Sequence, residues 1–108
     1  MREPSFLTLV ALAGGRAHGY ALLREVEAVS GGRVRLQVGS LYAVLDRLQA
    51  EGLVVVDGEE TYRGRLRRYF VVTDDGRAAL EVETERLEAH ARVARQRLAG
   101  PVRPAAQS

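Results

Sequence analysis

From Phe6 to Leu12 the apolar positions Phe6, Leu7, Leu9, Val10 and Leu12 surround most of a helix, so a helix from about Pro4 to Ala13 should be buried on more than one side. Glu3 and Pro4 suit its first turn, where an acid meets the helix dipole and a missing N–H is harmless. Gly14 and Gly15 end it. The pattern then narrows to a single stripe: Leu22, Val26 and Val29, flanked by Tyr20 and Leu23, with Arg24, Glu25 and Glu27 facing out. This predicts a second helix from about Gly19 to Ser30, stopped by Gly31 and Gly32.

A third helix is carried by VGSLYAVLDRLQAEG from Val38. At 100° per residue Leu41, Leu45 and Leu48 gather on a core face, and Gly39, Ser40, Ala43 and Arg47 fall opposite, with Tyr42 about a quarter turn from the core stripe. The outward face is small and polar with one long cation, so it can approach a groove closely and leave Arg47 to reach a base edge or phosphate. Leu53 to Val56 then reads as a short buried strand that returns as Tyr69 to Val72. The residues between, DGEETYRGRLRR, form the arms and tip of a hairpin that turns at Gly64. A helix followed by a basic ribbon is the outline of a winged helix-turn-helix.

The last periodic segment starts at Thr73, a capping residue followed by Asp74 and Asp75, and runs to about Leu98 before Gly100 and Pro101. Some 25 residues give a helix of roughly 37 Å, too long to pack only on so small a domain. Leu80, Thr84, Leu87, Ala91, Ala94 and Leu98 recur along it at alternating spacings of four and three. That heptad stripe asks for a partner helix and predicts a homodimer, the opposing reading being that the stripe folds back on the first helix. The expected organisation is a DNA-binding domain over 1–73, a dimerisation helix over 74–99 and a flexible tail over 100–108. The fold class is mostly α with a small β-hairpin.

The net charge is only +2, yet four arginines and no acid lie between Arg63 and Arg68. Asp57, Glu59 and Glu60 on the near arm could neutralise part of this patch across the hairpin. Arg63 and Arg65, flanking Gly64 at the tip, are the least suited to such pairing and the best placed for phosphates. All 16 basic residues are arginine, which fits the codon bias of a GC-rich genome.

With no cysteine there is no disulfide, thiolate metal site or cysteine nucleophile, a profile compatible with a reducing cytoplasm. The apolar run Phe6 to Ala13 is far short of a membrane span, and its flanks suit a helix start better than a signal peptide. His18 and His90 lie on different segments without the spacing of a triad or metal site, so neither an enzyme nor a bound metal or cofactor is expected. His18 is expected to cap or pack at the start of the second helix.

Three stretches, AHGYALLREVE from Ala17, VGSLYAVLDRLQAEGLV from Val38 and GRLRRYFVVTDDGRAAL from Gly64, resemble the PadR-like transcriptional regulators. The single helix after the wing resembles the compact subfamily. The resemblance implies a winged-helix homodimer on double-stranded operator DNA, usually a repressor released by a small-molecule effector. It implies DNA-facing positions at Gln37, Gly39, Ser40, Tyr42, Ala43 and Arg47, with Arg63, Arg65 and Arg67 on the wing. Val38 and Ala43 stand where the family commonly has proline. No aromatic residue lies in 74–108, so a stacking pocket for flat ligands on the last helix is not expected, and Phe6 is the nearest aromatic candidate. The expected function is a cytoplasmic, sequence-specific DNA-binding regulator acting on a palindrome. The alternative is a winged-helix protein-interaction module that binds no nucleic acid.

Overall fold

A computed structural model describes residues 1–102 and 104. Four helices and a small sheet follow in the order α1 (Glu3–Ala13), β1 (Ala17–His18), α2 (Gly19–Val29), α3 (Val38–Ala50), β2 (Val54–Tyr62), β3 (Arg65–Val72) and α4 (Asp74–Ala99). The expected tail, residues 100–108, lies in part outside the described residues.

α1 is buried on several sides, as its pattern predicts: Ser5, Leu7, Thr8, Leu9, Ala11 and Leu12 are all enclosed. Thr8 tolerates this because its hydroxyl donates to the Pro4 carbonyl at 2.7 Å. Leu22 and Val26 of α2, Leu41, Leu45 and Leu48 of α3, Val54 and Phe70 complete one core around α1. Burial of such side chains contributes roughly 1.5–3 kcal/mol each. Two positions depart from the predicted faces. Val29 is 40% exposed, because α2 ends there and the chain turns away through Ser30, whose hydroxyl accepts from the Val34 amide at 2.9 Å. Val44 is buried, since the core face of α3 is wide enough to take a residue at its edge, beside Leu48.

The ribbon is longer than the two apolar runs suggested, with β2 and β3 pairing antiparallel from Val54↔Val72 to Tyr62↔Arg65. Its tip is the two-residue loop Arg63-Gly64, both with positive φ, as a tight hairpin turn of the primed type requires. One extra residue on β2 between Val56 and Glu59 forms a bulge around Gly58, whose φ is +98°. The sheet also has a third strand that the sequence pattern does not show. β1 pairs with β3 through Ala17↔Phe70 and His18↔Tyr69, giving the order β1-β3-β2.

α4 begins at its cap, where the Thr73 hydroxyl accepts from the Gly76 amide at 3.0 Å and donates to the Gly52 carbonyl at 2.7 Å. Its first turns pack on the domain through Gly76 and Glu83, which are buried, and Leu80, which lies against the core. At 26 residues it is about 39 Å long, and from Glu85 onward every residue is exposed.

Candidate nucleic-acid interface

The outer face of α3 is open along its length. Gly39, Ser40, Tyr42, Ala43 and Arg47 are all exposed while Leu41, Leu45 and Leu48 anchor the other side. Gln37 is the N-cap residue, held there by backbone geometry alone because its side chain makes no capping bond and is left available. Small residues at Gly39, Ser40 and Ala43 let the helix axis come near a partner, and Arg47 makes no ion pair among the described residues. Tyr42 leans from this face toward α2 and the sheet, edge-on to Phe70 with ring centroids 6.4 Å apart.

The wing's charge depends on what its acids do. Register sets Glu59 opposite Arg68 and Glu60 opposite Arg67. Glu59 pairs with Arg68 at 3.2 Å, so the near arm does neutralise one arginine. Glu60 instead accepts from the Tyr69 hydroxyl, and this bond pushes the Tyr69 phenol above its ordinary pKa. Asp57 faces Arg16, 3.4 Å away, and Arg16 also donates to the Asp57 carbonyl at 2.8 and 3.0 Å while its guanidinium lies over the Tyr69 ring. All three carboxylates are engaged, and none takes Arg63, Arg65 or Arg67. The guanidiniums of Arg67 and Arg63 stand instead over the Tyr62 ring, at 3.9 and 5.2 Å from its centroid. Arg63, Arg65 and Arg67 therefore make no ion pair among the described residues, although Glu60 keeps its own charge opposite Arg67.

An open α3 face beside a ribbon with three unpaired arginines is the arrangement of a winged helix-turn-helix that reads a duplex. The sequence pattern of the transcriptional regulator PadR-like family matches residues 8–82. The chain belongs to that family. It is 39% identical over 80 residues to a transcriptional regulator of Mycobacterium tuberculosis, an alignment covering 74% of this chain and 71% of that protein. It is 46% identical over 81 residues to an uncharacterized 37.1 kDa protein in a transposon of Streptomyces fradiae, covering 75% of this chain but only 22% of that relative's length. A PadR family transcription regulator from Clostridium difficile has the same fold, with a TM-score of 0.76 at 20% identity over 91% of this chain and 100% of that one. Bacillus subtilis PadR, solved in complex with operator DNA, matches with a TM-score of 0.70 at 17% identity over 99% of this chain and 55% of that one. PadR-like proteins are transcriptional regulators and not enzymes.

Around this PadR-like interface the structure gathers residues that the helix and hairpin patterns left out. His18 both caps and packs: its Nδ1 accepts from the Ala21 amide at 3.4 Å, and its ring meets Tyr69 edge-on at 5.5 Å. Burial, then the charges of Arg67 and Arg24, hold its imidazole below the ordinary histidine pKa. Arg16 and Arg24 had no signal of their own, because nothing in the spacing sets them apart from other exposed positions, and Tyr20 was expected only as a flank of the apolar stripe of α2.

The heptad residues of α4 divide. Leu80 and Thr84 are half-buried at the domain end, where the Thr84 hydroxyl donates to the Leu80 carbonyl at 2.8 Å. Leu87, Ala91, Ala94 and Leu98 are exposed, Leu98 by 84%. Phe6 packs against the core cluster. No helix among the described residues is long and apolar enough to cross a membrane, and no cluster of three or more metal-ligating side chains is present among them.

Proposed function

We propose that this PadR-like regulator is a sequence-specific DNA-binding repressor, acting as a homodimer on a palindromic operator and released by a small-molecule effector. The observation that carries DNA binding is that Arg63, Arg65 and Arg67 form no ion pair among the described residues and stand beside the open face of α3. Ser40, Tyr42, Ala43 and Arg47, with Gln37 and Gly39 at the helix start, enter the major groove. The wing arginines hold phosphates and release counterions. The fold shared with Bacillus subtilis PadR, which was solved on operator DNA, supports this reading.

The dimer reading is supported by the open half of the α4 stripe. Leu98, 84% exposed, would gain most of the roughly 1.5–3 kcal/mol of a full burial on being covered and Leu87, 39% exposed, a smaller share, and a second copy of the same stripe has the matching spacing. An effector would then act by changing how the two recognition helices are set relative to each other.

Footprinting on the DNA upstream of the protein's own gene tests the proposal. Two protected half-sites, centred about 10 base pairs or a multiple of that apart, are expected for a two-fold dimer. No protection anywhere in that region would contradict it.

A further inference from the structure

The wing carries a break in its ladder. Between Val56↔Phe70 and Glu59↔Arg68 the register leaves Asp57 and Gly58 of β2 opposite Tyr69 alone on β3. A bulge of this kind bends its strand and adds twist, so it sets the angle at which the outer half of the wing leaves the domain. It is also where an unsupported ribbon would flex, because the pairing that stiffens it is interrupted there.

One side chain covers that break. Arg16 lies in the segment that leads into α2, which β1 ties to β3 through Ala17↔Phe70 and His18↔Tyr69. Its guanidinium donates from Nε and Nη2 to the Asp57 carbonyl, at 3.0 and 2.8 Å, and stands 3.4 Å from the Asp57 carboxylate. The same guanidinium lies 4.0 Å from the centroid of the Tyr69 ring. Arg16 thus holds both arms of the hairpin at once, β2 through its backbone and β3 through a ring. Tyr69 is fixed from two further directions, since His18 meets its ring edge-on and its hydroxyl donates to Glu60 across the ribbon. Gly58 completes the fit: at a φ of +98° it leaves open the space where a Cβ would stand 2.8 Å from the Arg16 guanidinium. A lone ion pair on an exposed surface contributes little. Here the pair, the two bonds to backbone and the ring contact all act on one bend.

We infer that Arg16 is a positioning residue: it locks the wing at its bulge and so presents Arg63, Arg65 and Arg67 to a duplex that it does not itself touch. The inference rests on the DNA-binding reading above and adds to it how the wing is held. A wing fixed before binding has less freedom to lose on binding, which raises affinity with no added contact. Lysine cannot take over the task. Its ammonium keeps the charge but has neither the planar fork of donors nor a plane to lay over the tyrosine.

The test follows amide hydrogen exchange in the free chain, and fluorescence anisotropy on one labelled upstream duplex across a salt series, for wild type, Arg16→Ala, Arg16→Lys and Arg65→Ala. Arg16→Ala should exchange faster in the wing beyond the bulge with α3 unchanged. It should bind roughly three- to tenfold more weakly, with the slope of log K against log salt kept. Arg16→Lys should behave as Arg16→Ala does. Arg65→Ala should instead make the slope less steep by about 1 for each protomer bound and leave wing exchange as in wild type. If Arg16→Ala flattens the slope and Arg16→Lys restores it, Arg16 is a phosphate contact and the positioning role is wrong. Unchanged affinity in Arg16→Ala, or faster exchange throughout the chain, overturns it as well. Absence of salt-dependent binding by wild type would instead remove the DNA-binding reading, and the inference with it.

Discussion

Gly76 lies so close to Leu53 that a Cβ built on it would sit 2.1 Å from the Leu53 carbonyl oxygen. The same carbonyl accepts from the Thr73 amide at 3.0 Å, so it cannot move aside without breaking the start of α4. An alanine in a helix ordinarily stabilises by up to about 1 kcal/mol relative to glycine. Here overlap with backbone reverses the sign. Gly76→Ala is expected to destabilise the fold by roughly 1–3 kcal/mol, seen as a lower urea midpoint, and a rise in the midpoint would contradict the close approach.

Glu83, buried on α4, is held by Arg86 and by the amino group of Met1, which lies 3.2 Å from its carboxylate. The hydrogen bond from Arg86 is the main cause that lowers its pKa from 4.5 to about 2, and burial opposes the shift. The unfolded chain therefore binds this proton more readily than the folded one. The contribution is fully present above pH 4.5 and is lost as pH falls from there through about 2. Thermal melts of Glu83→Gln should accordingly show a weaker loss of stability across that range than wild type. Parallel curves would show that the carboxylate is not the group responsible.

The exposed stripe beyond Thr84 has a direct consequence for assembly. Leu87→Asp places a charge in the middle of the proposed seam, where a partner helix would have to desolvate it. Sedimentation should show wild-type dimers and mutant monomers at micromolar concentration, with helix content little changed. A mutant that remained dimeric would move the interface elsewhere.

Arg47 and Arg65 are assigned different tasks and should fail differently. Arg65→Ala, at the wing tip, is expected to weaken binding to every duplex by a similar factor. Arg47→Ala should instead relax preference at one or two base pairs, with about 1–3 kcal/mol of discrimination lost at each. Competition against a set of single-substitution duplexes separates the two patterns. Equal relaxation by both variants would remove the distinction between helix and wing.

The four helices and the hairpin were legible because their signals are local: Thr73 as a cap, Gly64 as a turn residue, and the spacing of Leu41, Leu45 and Leu48 as a buried face. β1 was not, because two residues cannot show a period and Ala17–His18 becomes a strand only where the free edge of β3 accepts it. The pairing of Asp57 with Arg16 was equally hidden, since it joins residues 41 positions apart. That contact pairs an acid at the base of the hairpin with a cation outside the wing. The bulge at Gly58 contributes here: its missing Cβ makes room for the Arg16 guanidinium, which would lie 2.8 Å from it. On α2 the pattern set Tyr20 beside the apolar stripe and Arg24 outward, and it gave no sign that both line one cleft with the wing arginines.

The central claim is that a wing with three unpaired arginines beside the open face of α3 binds the phosphates of a duplex. Its most direct measurement is the salt dependence of wild-type affinity for DNA from upstream of its own gene. If each protomer neutralises three or four phosphates, the slope of log K against log salt should be about −5 to −7 for the dimer. A slope near zero would contradict the account.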